Sequence, residues 1–418
     1  DAKADGSFTA VIFPENIKKK REVLVEIVNS DGEIINQTSA TIRPKDSLIF
    51  VKTKVQDPLL WASETPNLYV ANVYLKNSDV TIYRASEKFG FRTIEIKPAD
   101  GIYINGKKIR FKGINRQSMW PETGRTLSHE INLNDVLLIK KMNMNAVRCG
   151  HYPPDIDFLE YCDSLGLYVI DELAGWHNAY DTDVGENLVG EMVTRDVNHP
   201  SIIFWSNGNE GGHNKELDDD FSLYDPSNRP VIHAHHRPEN EINEIECDHY
   251  PSLREVQQHL NDTLIFMTTE FLHCQNDGGG AAGLSDYWNL MRTSELSAGG
   301  FLWALIDEGI VRTNRNNIID VNGVNAPDGI LGPHREKEGS FYAIREIYSP
   351  VYIPDESVRI ENRTPIPIEN RYDFTNLNEC QFRWKLVNFH RVNDYRTGFE
   401  VQAEGEIVGI NVKPGERG

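Results

Sequence analysis

Two glutamates that follow apolar runs are the residues of this sequence best suited to acid–base chemistry. Glu210 follows the run SIIFWSNGN, and Glu270 lies near the end of TLIFMTTEF. A pair of carboxyl groups can break a glycosidic bond when one protonates the leaving oxygen and the other acts at the anomeric carbon. A separation of about 5–5.5 Å would predict retention of the anomeric configuration, and one of about 6.5–9.5 Å would predict inversion. For either glutamate alone, an ion pair at the rim of the fold is the alternative.

The elements that would position these glutamates alternate between strand-like and helix-like patterns from about residue 100. Eight apolar runs are strand candidates: KIRFKGIN, MNAVRCG, GLYVIDEL, SIIFWSNGN, RPVIHAHH, EIECDHY, TLIFMTTEF and GGFLWALID. Segments of helical period lie between them, namely INLNDVLLIKKM, PPDIDFLEYCDSLG, ENLVGEMVTRDVNHP and LSDYWNLMRTSELSA, whereas the fourth and fifth connections are shorter and less clearly helical. This alternation predicts a (β/α)₈ TIM barrel. An open doubly wound sheet is the alternative, but a glycine-rich dinucleotide fingerprint does not follow the first run.

Short strands flank the predicted barrel on both sides. Residues 1–97 alternate apolar and polar side chains around an Asp31-Gly32 turn, which predicts an immunoglobulin-like β-sandwich. Residues 98–352 form the predicted barrel. Residues 353–418 return to alternation in CQFRWKLVNF and predict the start of a second, incomplete β-sandwich.

Polar or aromatic residues stand at the end of every strand candidate. In a barrel of this type, chemistry takes place at the carboxyl ends of the strands, so these side chains should share one rim. Carboxylates, histidines, amides and aromatic rings together are typical of a carbohydrate site. The residues are Asn115, Arg116, Arg148, His151, Asp171, Glu172, Asn209, Glu210, His233, His235, His236, His249, Tyr250, Glu270, His273, Trp303 and Asp307.

Three other patterns allow more than one interpretation. His233 and His235 share one face of a strand and His236 the other, so a zinc site lacks a clear third ligand, and we expect wall histidines instead. The loop GGGAAG lacks the lysine and hydroxyl residue of a phosphate-binding loop. Asp171 and Glu172 could hold the rim together or touch substrate or metal, and the sequence leaves both readings open.

Charge and composition restrict the class of partner. The chain has 63 acidic and 43 basic side chains, a net charge of -20, which repels nucleic acid and anionic lipid. No apolar run approaches the roughly 18 residues that span a bilayer. The start DAKADGSFTA does not look like a signal peptide, but a signal could already have been removed, so periplasmic, secreted and cytoplasmic locations all stay open.

The five scattered cysteines predict free, mostly buried thiols. The oligomeric state is also left open.

Several motifs in order resemble glycoside hydrolase family 2, and its β-galactosidase-like branch most of all. They are WASETPNLY, GFRTIEI, NGKKIRFKGINR, NAVRCGHYP, LYVIDE, RDVNHPSIIFWSNGNEGG and GGFLWALID. The resemblance implies a sandwich–barrel–sandwich layout and a retaining mechanism. It implies that Glu210 is the acid/base, that Glu270 is the nucleophile, and that Asn209 touches the sugar 2-hydroxyl.

The resemblance also implies a set of residues around the sugar. Tyr250 would poise the nucleophile and Trp303 would form part of the pocket floor. The full set implied to bind substrate is Arg148, His151, Asn209, Tyr250, His273 and Trp303.

The chain departs from the family pattern at several positions. Gln117 stands where β-galactosidases usually carry a histidine, and it should still contact a hydroxyl. A magnesium site would use Glu210 and His177, but Gly175 replaces the glutamate expected two positions before His177. We therefore expect that no cofactor is required, and magnesium bound by Glu210 and His177 is the alternative. The family's N-terminal jelly roll is expected to be missing.

Two tryptophans near the predicted mouth have no counterpart that we expect from the family. Trp120 and Trp176 would either stack on a longer sugar or pack within loops.

Together these patterns predict a retaining, exo-acting, β-galactosidase-like glycoside hydrolase with a carbohydrate substrate. Glu270 should be ionised, and its charge should keep Glu210 protonated until the glycosyl intermediate forms. The alternatives are the same chemistry on a glucuronide, a mannoside or a sulfated galactan unit, or a carbohydrate-binding fragment that is inactive because domains are missing.

Overall fold

The structure is a computed structural model that describes residues 1–235, 241–275, 281–354, 365–391 and 393–418. Its backbone contacts divide the chain into two compact units, Asp1–Tyr348 and Ser349–Gly418. The predicted domain limits near residues 97 and 352 stay predictions, because the first unit contains both the N-terminal sheets and the barrel.

The N-terminal part of the first unit consists of antiparallel sheets. β2 and β3 form the predicted hairpin, and Gly32 adopts a φ of +81° in its turn, a conformation that favours glycine. Val25 and Ile27 of β2 point into the core of these sheets and are fully buried. The strands are β1 (Ser7–Ile12), β2 (Arg21–Val28), β3 (Ile34–Ile42), β4 (Ile49–Lys54), β5 (Tyr69–Asn77), β6 (Val80–Phe89), β7 (Ile94–Lys97), β8 (Gly101–Ile104) and β9 (Lys107–Lys108). They form sheets ordered β1-β4, β3-β2-β5-β6 and β7-β8-β9.

Eight parallel strands form the predicted barrel. The barrel strands are β10 (Phe111–Arg116), β11 (Ala146–Cys149), β12 (Tyr168–Glu172), β13 (Ile202–Asn209), β14 (Val231–Ala234), β16 (Ile245–His249), β17 (Ile265–Phe271) and β18 (Ser297–Leu302). β10 pairs with β18, which closes the sheet on that side, and the order β14-β13-β12-β11-β10-β18-β17-β16 follows the chain around the barrel. Within the described residues no ladder joins β14 to β16, so the barrel is nearly closed. The (β/α)₈ prediction is confirmed.

Helices cover the outside of the barrel between the strands. α1 begins at a Ser128 cap whose hydroxyl accepts from the amide of Ile131 at 3.3 Å, and α5 begins with a Ser252–Glu255 capping box. The helices are α1 (His129–Lys141), α2 (Ile156–Leu165), α3 (Thr182–Asp196), α4 (Asp220–Tyr224), α5 (Leu253–His259), α6 (Leu284–Thr293) and α7 (Gly339–Ile347). The four helices predicted from sequence correspond to α1, α2, α3 and α6. The fourth connection contains only the short α4 and a 3₁₀ turn, as its weak pattern indicated.

Aromatic rings fill the barrel at the end opposite the strands' carboxyl termini. The ring of Phe111 packs against those of Tyr168, Phe204 and Phe301, with centroids 6.0, 6.1 and 5.8 Å away. Gly113 leaves the space that the Phe301 ring occupies, since a Cβ there would lie 2.3 Å from that ring. This packed end leaves the carboxyl ends of the strands as the place for a cavity.

The remaining elements are short, and the second unit has little core of its own. The first unit also holds β15 (Glu241–Ile242), β19 (Ile310–Arg312) and β20 (Ile318–Asp320). The second unit pairs β21 (Val351–Tyr352) with β22 (Glu369–Asn370), and β23 (Phe382–Phe389) with β24 (Phe399–Ile407), whose side chains are mostly exposed.

The five cysteines are free, and four of them are buried. Among the described residues, no helix has the length and apolar character needed to cross a membrane.

Candidate active site

The two predicted glutamates meet at the carboxyl ends of the strands. Glu210 is the first residue after β13, Glu270 lies near the end of β17, and an oxygen of each lies within 4.8 Å of an oxygen of the other. Both carboxyl groups line a cavity of about 530 Å³. Two carboxyl groups therefore converge on a space large enough for a sugar ring.

Glycines shape the turn that presents Glu210. Glu210 itself has a φ of +45°, between Gly208 at +76° and Gly211 at +86°. The turn packs backbone to backbone on the neighbouring loop, because the Asn209 amide donates to the Gly175 carbonyl at 2.6 Å. A Cβ on Gly212 would lie 2.2 Å from the Gly175 carbonyl carbon, and one on Gly175 would lie 2.4 Å from the Gly212 carbonyl oxygen, so both loops need glycine here.

Hydrogen-bond donors surround the Glu210 carboxyl group. The indole Nε1 of Trp176 donates to Oε2 at 2.8 Å, the His249 Nδ1 lies 3.5 Å from Oε1, and the His177 Nε2 lies 3.7 Å from Oε2. The hydrogen bond with His249, helped by the Trp176 indole, lowers the pKa of Glu210 to about 2, although burial acts in the opposite direction. The expected proton on Glu210 is thus not favoured in the free site, because these donors outweigh the effect of burial.

Both oxygens of Glu270 are held by hydrogen bonds. Arg148 Nη1 donates to Oε1 at 2.8 Å, and the Tyr250 hydroxyl donates to Oε2 at 2.8 Å. Burial, and then the charge of Glu270, raise the pKa of Tyr250, so its phenol stays a donor. His249 Nδ1 lies 3.7 Å from Oε2, between the two glutamates. The Glu270 carboxylate is therefore fixed in one orientation by a cation and a phenol.

Arg148 lies beneath the cavity and not in its wall. Its fully buried guanidinium donates to Glu172 at 2.8 and 2.9 Å, to Asn115 at 2.9 Å and to Asn209 at 2.6 Å. Burial alone would raise the pKa of Glu172, but the Arg148 charge lowers it overall. Arg148 thus holds Glu270 and Asn209 in position from below.

Asn209 offers a donor to the cavity that it lines. Its Oδ1 accepts from Arg148, which fixes the direction of the amide. Its buried Nδ2 has no hydrogen-bond acceptor among the residues that the structure describes. A buried amide donor of this kind is satisfied when a ligand supplies an acceptor.

Stacked rings form one wall of the cavity. The ring of His151 lies between Trp176 and Trp303, with centroids 5.8 and 5.1 Å away and planes 12° and 14° apart. His151 Nδ1 lies 3.0 Å from Glu172, and the ring of His273 lies 5.7 Å from that of Tyr250. Flat apolar faces beside polar groups suit the alternating C–H and hydroxyl surface of a sugar.

The cavity also contains residues that the sequence did not single out as site residues. Gln117 lines it as predicted, whereas Trp120 is not among the residues that line it; its ring lies 5.0 Å from that of His334. His249 was placed at the rim by its strand but given no role. The lining residues missed altogether are Met119, Arg125, Tyr152, Ala174, Glu308, Asn325 and Asp328.

Two further predicted rim residues, His233 and Asp171, interact with groups other than the glutamates. His233 Nε2 lies 2.8 Å from Asp218, and its ring stacks on His213 at 4.4 Å. His236 and the first part of the GGGAAG loop lie outside the described residues. Asp171 is fully buried, and burial and the nearby Asp196 raise its pKa well above the ordinary range.

The residues present do not form the magnesium site that the family pattern suggests. His177 and Glu210 are near each other, but the backbone of Gly212 fills the space beside Gly175, where a third ligand would have to stand. Glu210, His249 and Glu270 have potential ligand atoms within 4.8 Å of one another. However, both oxygens of Glu270 already accept hydrogen bonds, and its neighbour Arg148 is a cation that disfavours a second one.

Comparison with known proteins agrees with this architecture, a (β/α)₈ barrel preceded by β-sheets. Residues 94–325 match the sequence model described as "Glycosyl hydrolases family 2, TIM barrel domain", and residues 1–92 match "Glycosyl hydrolases family 2". The chain belongs to glycoside hydrolase family 2.

Curated relatives and solved structures carry two different names. A β-galactosidase of Priestia megaterium is 29% identical over 428 residues, covering 91% of this chain and 39% of that protein. One of Yersinia enterocolitica is 33% identical over 300 residues, covering 63% and 27%. This chain thus spans less than half the length of these relatives. A Bifidobacterium dentium β-glucuronidase complexed with coumarin-3-O-glucuronide superposes with a TM-score of 0.69 at 22% identity, covering 80% of this chain and 61% of that one. At that identity the likeness shows the fold alone.

Proposed function

We propose that this chain hydrolyses β-galactosides from their ends with retention of anomeric configuration. The observation that carries the proposal is the distance of at most 4.8 Å between oxygens of Glu210 and Glu270. Retaining glycosidases hold their carboxyl groups about 5–5.5 Å apart, whereas inverting ones leave about 6.5–9.5 Å for a water molecule. The enclosing cavity suits a terminal sugar.

Glu270 is the proposed nucleophile. Its carboxylate oxygen attacks the anomeric carbon, the bond from that carbon to the leaving oxygen breaks, and Glu210 gives its proton to that oxygen. Water then attacks the same carbon and loses a proton to Glu210, while the ester bond to Glu270 breaks. The hydrogen bonds from Arg148 and Tyr250 keep the attacking carboxylate in line.

Glu210 must gain its proton when substrate binds. In the free site its pKa is lowered to about 2 by the hydrogen bond with His249 and the indole of Trp176. Its side chain is 23% exposed, so a sugar in the cavity would remove water from it and push the pKa upward. Protonation of the acid is therefore coupled to filling of the cavity.

The sugar itself is proposed from the cavity and the relatives. Asn209 Nδ2 is a free donor for a hydroxyl, and Trp303, His151 and Trp176 offer stacked faces. The curated relatives are named β-galactosidases. A glucuronide is the second candidate, because the exposed guanidinium of Arg125 lines the cavity.

Aryl β-glycosides test this proposal with matched variants. The chain should hydrolyse an aryl β-galactoside and release the β-anomer first, as seen by proton NMR. Glu270→Gln should abolish turnover, and Glu210→Gln should lower kcat by about 10²–10⁴-fold. Glu191→Gln, on the exposed side of α3, should not change it.

Three outcomes would oppose the proposal. Near-normal turnover by Glu270→Gln would refute the nucleophile assignment, and release of the α-anomer would refute retention. Binding of glycosides without turnover of any would favour the inactive carbohydrate-binding fragment.

We also propose that no metal ion takes part in the reaction. The reason is that the backbone of Gly212 packs against Gly175. It occupies the space in which a third ligand beside His177 and Glu210 would lie. Dialysis against EDTA should leave kcat unchanged, and restoration of lost activity by magnesium would contradict this.

A further inference from the structure

Two acidic side chains other than the glutamate pair line the same cavity. Asp328 and Glu308 come from segments that follow the last barrel strand. These segments are joined by backbone hydrogen bonds, from Ala304 to the Asp328 carbonyl at 3.1 Å and from Glu308 to the Ala326 carbonyl at 2.8 Å. Gly329 allows this approach, since a Cβ there would lie 2.1 Å from the Ile306 carbonyl carbon. Both carboxyl groups are thus built into the cavity by the backbone.

Asp328 has one oxygen held by the protein and one without a donor. Its Oδ2 accepts from the Trp303 indole at 2.9 Å and lies 3.7 Å from His273 Nε2. Its buried Oδ1 accepts no hydrogen bond from any described residue, although the residue is only 6% exposed. A buried carboxylate oxygen is costly unless a donor reaches it, so a donor is expected from a ligand.

Glu308 also has a buried carboxyl oxygen, Oε1, without a donor within the described part of the chain. Burial and the charge of Asp328 raise the pKa of Glu308 to about 7, while Arg125 opposes the shift. The pKa of Asp328 is raised to about 6, chiefly by burial. Two acids in one wall thus disfavour further negative charge there.

Arg125 does not cancel this acidic wall. Its guanidinium is exposed and lies over the ring of Tyr152, 4.3 Å from the centroid. Its attraction to Glu308 partly satisfies its own charge. Among the described residues, the one permanent cation that lines the cavity is therefore solvated, and its charge offsets the rise in the pKa of Glu308 only in part.

We infer that Asp328 and Glu308 select a neutral sugar, by accepting hydrogen bonds from its hydroxyls and repelling a carboxylate or sulfate on the same ring. This inference rests on the proposed function and narrows it to neutral glycosides. A site with unpaired acceptors discriminates strongly, because a ligand without donors leaves them unsatisfied. An anionic sugar also meets like charge at short range.

The test compares an aryl β-galactoside with the matching aryl β-glucuronide. Wild type should prefer the galactoside in kcat/KM. Asp328→Asn removes the negative charge but keeps an oxygen that can accept from Trp303. Glu308→Gln likewise removes the charge of Glu308 and keeps an acceptor oxygen. Each should shift the preference toward the glucuronide by about tenfold or more. Asp79→Asn, exposed on the N-terminal sheets, should leave the preference unchanged.

Binding of the hydrolysis-resistant phenyl thio-β-galactoside and thio-β-glucuronide, measured by calorimetry, separates two kinds of failure. If neither substrate is hydrolysed but wild type binds the galactoside more tightly and Asp328→Asn loses this preference, the proposed function fails and the inference stands. If the glucuronide is hydrolysed as well as the galactoside, or if neither variant shifts the preference, the inference is overturned while the glycosidase proposal survives.

Discussion

Replacing Arg148 with methionine removes a guanidinium that connects two buried carboxylates. The side chains of Arg148 and Glu172 are fully buried, and that of Glu270 is 4% exposed. Burial lowers the pKa of Arg148, but the charges of Glu172 and Glu270 reverse this and raise it. The cation and its carboxylates therefore depend on each other in a region without bulk water.

The expected loss of stability is large. Breaking a buried ion pair by removing one partner costs about 3–5 kcal/mol, because a charge is left uncompensated. That is a large part of the about 5–15 kcal/mol by which folded domains are stable. Adding Glu172→Gln to Arg148→Met should restore about 1–3 kcal/mol, since it removes one of the stranded charges. Turnover should not return, because Oε1 of Glu270 still lacks its guanidinium donor.

Urea unfolding followed by tryptophan fluorescence measures these effects, together with turnover of an aryl β-galactoside. Arg254→Met, at an exposed position of α5, is the matched control and should change the free energy of unfolding by at most about 0.5 kcal/mol. A loss below about 1 kcal/mol for Arg148→Met would refute the reasoning, since a buried pair broken on one side should cost more. The reasoning would also be refuted if the losses in free energy of unfolding from Arg148→Met and Glu172→Gln simply added up in the double variant.

Three further changes have definite expected results. Tyr250→Phe removes a hydrogen bond of 2.8 Å to Glu270, and since charge-assisted bonds contribute about 1.5–3 kcal/mol, kcat should fall by about 10–100-fold in steady-state assays. Gly212→Ala places a Cβ 2.2 Å from the Gly175 carbonyl carbon, so the Glu210 turn shifts and kcat should fall by about 10²-fold. The pKa of Asp328 is raised from 3.8 to about 6 in the folded chain, so that the folded state binds more protons in this window and its stability falls as pH rises through it. Asp328→Asn removes this dependence, so its free energy of unfolding should rise relative to that of wild type by about 2–2.5 kcal/mol between pH 4 and pH 7, as measured by urea unfolding.

Each of these changes has a control. Tyr287→Phe removes a phenol bonded to the Pro251 carbonyl, outside the cavity, and should leave kcat unchanged; equal losses in both tyrosine variants would contradict the role of Tyr250. Gly283→Ala is the control for Gly212→Ala. Its added Cβ would lie 3.4 Å from Leu272 Cδ2, an ordinary van der Waals contact, so kcat should not change. Near-normal kcat in Gly212→Ala, or parallel pH–stability curves for wild type and Asp328→Asn, would contradict the other two predictions.

The barrel was predictable because its strands are buried on both faces. All residues of β11 and of β17 are buried, and such strands appear in a sequence as short, nearly continuous apolar runs. The sequence could not predict that β14 and β16 share no ladder of hydrogen bonds among the described residues. The spacing of strands along the chain does not determine whether two neighbouring strands pair.

The sequence could predict that the two glutamates form a pair, but it could not predict the distance between their carboxyl groups. Glu210 and Glu270 follow apolar runs, which places both at the carboxyl ends of strands. Their separation depends on barrel closure and on the glycine turn at Gly211, where φ reaches +86°. Likewise, the sequence predicted Arg148 beside the sugar, but the buried face of β11 turns it beneath the cavity toward Glu172.

Asp328 and Glu308 were missed because they lie beyond the last strand, where no periodic pattern operates. Their positions come from backbone hydrogen bonds such as that from Ala304 to the Asp328 carbonyl. The pairs Asn322-Gly323 and Asp328-Gly329 are turn signals, so the sequence shows that this segment contains turns. The sequence offered no means of placing the second of these turns against Trp303.

Covalent trapping tests the assignment of Glu270 most directly. A 2-deoxy-2-fluoro-β-galactoside with a good leaving group should form an ester that is hydrolysed slowly, and mass spectrometry of proteolytic peptides locates it. We predict one fluorosugar per chain, attached to the peptide that contains Glu270, and none in Glu270→Gln. Attachment to another residue, or turnover of the parent galactoside without any trapped ester, would contradict the retaining mechanism proposed from the Glu210–Glu270 distance.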